Sequence, residues 1–152
     1  MKPQEWLLAY LALPLDASNT EKSIDPVRIM KGMFLFAMEG TVADEGKYNF
    51  DAYSYGPCSF EIYSDLDNLL ERGIIPREFR AGETWPRYSV MSKGVSAFEE
   101  LKKVADVAGM KQLSQIKNLV LSMSFLSLLK YVYNKYPKYA TKSLISIPQD
   151  YK

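Results

Sequence analysis

Histidine is absent from this 152-residue chain. Its absence excludes the Ser-His-Asp and Cys-His nucleophile systems and the usual histidine-based metal sites together. Cysteine is nearly absent. The single Cys58 can neither close an internal disulfide nor build a thiolate metal site, and beside Gly56-Pro57 it reads as a small packed hydrophobe. The eight glycines form neither GxGxxG nor GxxxxGK[ST], so no phosphate-cradling loop is expected. Long apolar runs are missing too, since a bilayer span needs about 20 such residues. The nearest stretch, 119–129, is interrupted by serines and flanked by Lys117 and Lys130, and reads as core. The Met1 end lacks a basic region followed by an apolar stretch, so no signal peptide is expected. With one cysteine, the expected setting is a reducing cytoplasm. No internal repeat or low-complexity tract is present.

What remains is an ordinary globular composition, 47% hydrophobic and 24% charged, at a length that buries about 68–70% of the unfolded surface. The most informative stretch is 53–75, YSYGPCSFEIYSDLDNLLERGII. Gly56-Pro57 predicts a tight turn. Ser59 is the expected cap of a helix with Ile62, Tyr63, Leu66, Leu69 and Leu70 on one face, ended by Gly73. Extended residues to Arg80, a turn at 81–84 and a second strand around 87–90 predict a β-hairpin. Turn, helix and hairpin in this order give a small α+β, predominantly helical winged helix, with the hairpin as a two-stranded wing.

Elsewhere the pattern predicts helices. The first runs from Pro3 to about residue 13, with Trp6, Leu7, Tyr10 and Leu11 on its apolar side. The second is capped by Asp25, opened by Pro26 and stopped by Gly40, with Ile29, Met30, Met33, Phe34 and Ala37 buried. Residues 41–54 read as a loop with an extended piece near 48–53. Ser92 is the expected cap of a helix carrying Val95, Phe98, Leu101 and Val104, broken by Gly109. Two more helices are expected over about 111–121 and 124–136, the last ended by Pro137, with a short tail to Lys152. The expected organisation is one winged-helix-like domain over 1–152, with a core at about 25–108 and a C-terminal helical extension at 110–147.

The segment YSYGPCSFEIYSDLDNLLERGII, the hairpin closing in YSVMSKG and the late FLSLLKYVYNKYPKYATKSLI together resemble the YwgA-like family of bacterial proteins. There a tyrosine-glycine-proline-aromatic-serine turn precedes a helix of the same leucine and aspartate pattern, and a tyrosine-rich helix ends in a tyrosine-proline step. Cys58 stands here where an aromatic is usual. The resemblance spans about 25–145 and implies a winged-helix scaffold, with no catalytic residue to transfer. A looser likeness runs to Panacea-type antitoxin and adaptor proteins, which share a glycine-proline turn after an extended aromatic stretch.

Carboxylates are the remaining catalytic resource. Glu61 and Asp65, and Asp67 and Glu71, stand at i and i+4 on the helix over 59–72. One helix supplies few of the ligands a divalent cation needs, so the cluster reads as a solvated acidic face or a partner surface. No catalytic residue, metal or cofactor is expected. As a recognition helix this element is unsuited to phosphates, because residues 59–72 carry a formal charge of −3. The 18-residue connection over 41–58 is also long for a helix-turn-helix turn of about 3–4 residues.

The net charge of +1 conceals an asymmetry. Residues 1–100 hold ten bases and sixteen acids, a charge of −6, whereas 101–152 hold nine bases and two acids, a charge of +7. Such a split fits an interaction surface, a homodimer joined basic end to acidic body, or compensation within one chain. The leading expectation is a non-catalytic regulatory module that binds DNA or another nucleic acid. Arg77, Arg80 and Arg87 of the wing, with Lys130, Lys135, Lys138 and Lys142 interleaved with tyrosines, would carry it. The alternative is a protein adaptor whose Glu61, Asp65 and Asp67 face docks a basic partner.

Overall fold

Two proline residues decide where the first helices begin. Pro3 opens α1 (Pro3–Ala12) and Pro26 opens α2 (Pro26–Glu39), each in the first turn, where a missing N–H costs nothing. Asp25 caps α2 as expected, accepting from the Arg28 N–H at 3.3 Å and pairing with its guanidinium at 2.9 Å. The computed structural model describes residues 1–16 and 22–148. After α2 come a 3₁₀ turn (Asp44–Gly46), β1 (Asp51–Tyr53), β2 (Gly56–Cys58), α3 (Phe60–Glu71), β3 (Arg77–Phe79) and β4 (Pro86–Tyr88). Then follow α4 (Ser92–Lys102), α5 (Val107–Leu121), α6 (Phe125–Lys135) and a 3₁₀ turn (Pro137–Ala140). The described residues thus form a mostly helical α+β protein with two antiparallel two-stranded sheets. Expectations for 17–21 and for the tail beyond 148 lie outside the described residues.

The one-sided reading of α1 is corrected. All six residues from Trp6 to Leu11 are buried, and a helix apolar all round belongs in the middle of a core. It lies against α2, α3, α4 and α5. Close approach to α2 is made at Gly32, where an added Cβ would fall 2.1 Å from the Tyr10 hydroxyl. That hydroxyl donates to the Arg28 carbonyl at 2.9 Å. Helix α1 ends on a buried cation: the Lys117 ammonium donates to the Leu11 and Leu13 carbonyls at 3.1 and 2.6 Å, satisfying acceptors that a helix end leaves open.

Other local expectations divide. Helix α3 ends as predicted at Gly73, through a Schellman pair in which the Gly73 N–H donates to Leu70 and the Ile74 N–H to Leu69, both at 3.0 Å. Ser59 does not cap α3 with its side chain; it is buried, and its N–H donates to the Met30 sulfur at 3.2 Å. Ser92 is the first residue of α4, not its cap. On α4, Phe98 is buried and Leu101 packs partly buried against the core, whereas Val95 is exposed, as is Val104 just beyond the helix, so the expected stripe shrinks to two residues. Gly109 does not break the chain. It lies in the first turn of α5, its N–H bonded to the Asp106 carboxylate at 3.0 Å, where a Cβ would sit 2.5 Å from Val42 and 2.9 Å from Trp6. Close packing explains that glycine.

The expected hairpin after α3 is present as β3–β4, with Arg77 opposite Tyr88, Glu78 opposite Arg87 and Phe79 opposite Pro86. Ile24 bridges to Tyr88 and ties this hairpin to the start of α2. A second hairpin pairs β1, which lies within the extended piece expected near 48–53, with β2, a pairing the sequence does not predict. Its bend lies at Ser54-Tyr55, one step before the predicted Gly56-Pro57, which instead begins β2. The C-terminal helices are integral: Leu113, Val120, Leu128 and Val132 share one core cluster with Trp6 and Phe34. No helix among the described residues is long and apolar enough to cross a membrane.

Candidate functional site: an aromatic pocket over a buried lysine

The arginines expected on the wing are divided between faces and largely engaged. Directly opposed residues of an antiparallel pair share a face, and successive residues alternate. Glu78, Arg80 and Arg87 therefore lie on one face and Arg77 on the other. Arg87 holds Glu83 with two nitrogens at 2.9 and 3.1 Å. Arg80 donates to the Ser23 hydroxyl at 2.9 Å and to Glu78 at 3.2 Å. Arg77 lies over the Phe79 ring.

The basic late segment is divided as well. Lys135 pairs with Glu39 at 3.0 Å and lies over Tyr131; hydrogen bonds to Glu39 and Tyr131 push its pKa up. Glu39 also accepts from the Tyr136 hydroxyl at 2.6 Å. Lys130, five residues earlier on the same helix, lies on a different side of it. Lys138 covers Tyr139, and Lys142 is exposed beyond the last 3₁₀ turn.

On α3 the acids also separate. Asp65 accepts from the Tyr48 hydroxyl at 2.5 Å and from Gln4 at 3.2 Å, and Gln4 accepts in turn from Arg72 at 3.0 Å. It is a strut between α3 and α1. Burial and the bond to Asp65 push the Tyr48 hydroxyl far above its ordinary pKa, which keeps it a donor. Glu61 and Asp67 are exposed, but Asp67, two positions from Asp65, does not share its face. Among the described residues, no three Cys, Asp or Glu side chains come together as a metal site.

What the fold brings together lies elsewhere. The β1–β2 hairpin, the N-terminal turns of α2 and α3 and the middle of α2 enclose a cavity of about 210 Å³. Its walls include Tyr53 and Tyr55 from the hairpin and Phe60 and Tyr63 from α3, all four between 42% and 60% exposed. Tyr53 and Phe60 meet edge to face at 5.2 Å, and Tyr55 meets Phe125 of α6 in the same way at 6.3 Å. Deeper lie Met30, Cys58 and Lys31. Lys31 is 2% exposed and donates to the Pro57 carbonyl at 3.2 Å. Burial lowers its pKa to about 8, against a smaller opposing effect of Cys58. Burial likewise raises the Cys58 thiol, so it stays protonated at neutral pH and lacks the thiolate a nucleophile needs.

None of these four aromatics, nor Lys31, was singled out as a site residue from the sequence. Their signal is the aromatic density of YSYGPCSFEIY; Tyr63, expected on the buried face of the helix, is instead 42% exposed and lies off the Ile62–Leu66–Leu69 stripe, because it faces the pocket. For Lys31 the signal is a charge with apolar residues at i−4, i+3 and i+4, although Arg28 stands at i−3.

No protein-family model matches the chain, and no curated protein matches it either.

Proposed function

We propose that this protein is a non-catalytic binding module that docks another protein on the aromatic mouth of the β1–β2 pocket. One observation carries the reading: four exposed aromatics from two elements converge on one apolar cavity. Isolated exposed apolar residues are ordinary, but a contiguous patch rimmed by charge has the anatomy of an interface, and Tyr and Phe are enriched there. Glu61 lies beside Phe60, Asp67 is one turn from Tyr63, and Asp51 shares a strand face with Tyr53. The partner that fits is an apolar anchor flanked by lysine or arginine. The acidic face of the adaptor reading thus becomes a rim, with Glu61 and Asp67 in it and Asp65 withdrawn into the scaffold.

The winged-helix regulator, with β3–β4 as wing, is the competing reading, and the scaffold implied by the YwgA-like resemblance suits both. Phosphate neutralisation needs cations free to replace condensed counterions, and carboxylates already hold Arg80 and Arg87. Selection of a displayed random-peptide library against the full chain tests the proposal. Enriched peptides are expected to carry an apolar anchor among Lys or Arg and to lose at least tenfold in affinity on the double variant Tyr53→Ala/Phe60→Ala. They should be indifferent to the triple variant Arg77→Ala/Arg80→Ala/Arg87→Ala. Salt-steep binding of DNA pools that requires those arginines, with no peptide enriched, would overturn it in favour of the regulator.

A further inference from the structure

The two buried lysines differ in a way that packing alone does not explain. Lys117 gives two of its three ammonium donors to carbonyls at the end of α1, a complete structural role. Lys31 is equally inaccessible, yet its one hydrogen-bond acceptor among the described residues is the Pro57 carbonyl, and no carboxylate pairs with it there. A buried cation without a counter-charge is costly, and the cost is relieved by an anion brought alongside. Lys31 also lines the aromatic cavity, whereas Lys117 lines none of those described.

The cavity sets the size of what can enter. A void of about 150 Å³ takes up benzene, so 210 Å³ leaves room for an apolar group carrying a carboxylate. The aromatic apron of Tyr53, Tyr55, Phe60 and Tyr63 extends the surface beyond what a small acid would cover, and the exposed Glu61 and Asp67 favour cations upstream of the anchor. Cationic floor, apolar walls and acidic rim together describe one ligand: a polypeptide end with basic residues, then an apolar last residue, then a free carboxylate.

We infer that the pocket captures the C-terminus of its partner, seating the last side chain between Tyr53, Phe60 and Tyr63 and its terminal carboxylate at Lys31. This rests on the docking reading above and narrows it to a chain end. The peptide follows the known logic of carboxylate capture, in which the charge fixes register and the pocket selects the side chain.

Two octapeptide pools test it, both with lysine and arginine upstream and the last three positions randomised, one ending in a free carboxylate and one in a carboxamide. Each is passed over the immobilised full chain, and the retained peptides are counted by mass spectrometry. The free-acid pool is expected to be retained at least tenfold better, with apolar last residues enriched, and Lys31→Met should erase that preference. The acid-to-amide comparison on the unaltered protein stands even where Lys31→Met does not fold. Equal retention of both pools would overturn the carboxylate inference and leave the docking surface intact. Retention of neither would overturn both. Phenylacetate displacing the best peptide at equal concentration would show that a small acid suffices, and would overturn the peptide end as occupant.

Discussion

The two hairpins are alike in size and opposite in construction. Each pairs three residues with three, antiparallel, the first across residues 54–55 and the second across the longer connection 80–85. In β3–β4 the strand Arg77–Phe79 is exposed throughout and its charges are met within the hairpin or close by, Arg87 on Glu83 and Arg80 on Glu78. In β1–β2 the second strand is pressed inward. Gly56 and Pro57 are buried, Pro57 takes the Lys31 ammonium, and Leu144 donates to Ser54 at 2.8 Å. A hairpin with one strand fully exposed, joined to the start of α2 through Tyr88 of its other strand, can be altered on the exposed strand with little effect on the rest of the molecule. One held by α2, α6 and the C-terminal turn can present aromatics at fixed positions, and fixed positions are what a binding pocket needs.

The largest expected effect breaks the comparison at a glycine in each hairpin. Gly56 has φ +92°, and a Cβ there would lie 2.6 Å from the Tyr133 ring, which is itself held by a 2.7 Å bond to Ser143. Gly82 has φ +82° with open space around it. Left-handed strain costs about 1–2 kcal/mol, and displacing a packed ring costs about 1–3 kcal/mol more. Gly56→Ala should therefore lose about 3 kcal/mol in urea denaturation and Gly82→Ala about 1 kcal/mol. Equal losses would mean that the first hairpin is no better anchored than the second.

A pH titration of stability sharpens the same contrast, because the anchor of the first hairpin titrates and that of the second does not. Lys31 and Lys117 both have pKa values lowered to about 8 by burial. In the unfolded chain they keep their protons to a higher pH, so the folded state is penalised below pH 8 and the penalty is relieved as pH rises. Stability should increase by about 1 kcal/mol for each lysine between pH 7.5 and 9. Above that range Cys58 and the buried tyrosines, all raised, reverse the slope. Lys31→Met and Lys117→Met should each remove one share of the rise. A flat profile in the unaltered protein would show that these ammonium groups are solvated.

The smallest effect belongs to the second hairpin's ion pair. Arg87 and Glu83 are partly buried, so the pair exceeds a fully exposed bridge, yet Arg87→Ala should cost only about 0.5–1 kcal/mol. A loss matching that of Gly56→Ala would remove the distinction between the hairpins.

Much of the helical frame was legible in the sequence. Asp25-Pro26, Gly73 and Ser124 act within a few residues of themselves, through caps and helix-end bonds that need no distant partner. Misreadings arose where a local signal had a distant cause. Gly109 resembles a helix stop until Trp6 and Val42 are seen against it. Asp65 resembles a surface acid until Tyr48 and Gln4 close on it. The basic tract over 130–142 resembles a continuous stripe until Glu39, from a helix about a hundred positions earlier, takes Lys135.

By itself the chain excluded whole chemistries, since residues that are absent cannot be supplied by folding, and it placed helix ends whose interactions span three or four positions. Tertiary structure alone decided which charges were already neutralised and which side chains shared a site. Lys31 meets Pro57 across 26 residues, and the walls of the pocket come from a hairpin packed on α2 and α6 and a helix packed on the buried α1. Such contacts depend on the summed burial of many apolar side chains, a property of the whole core that no short stretch of sequence contains.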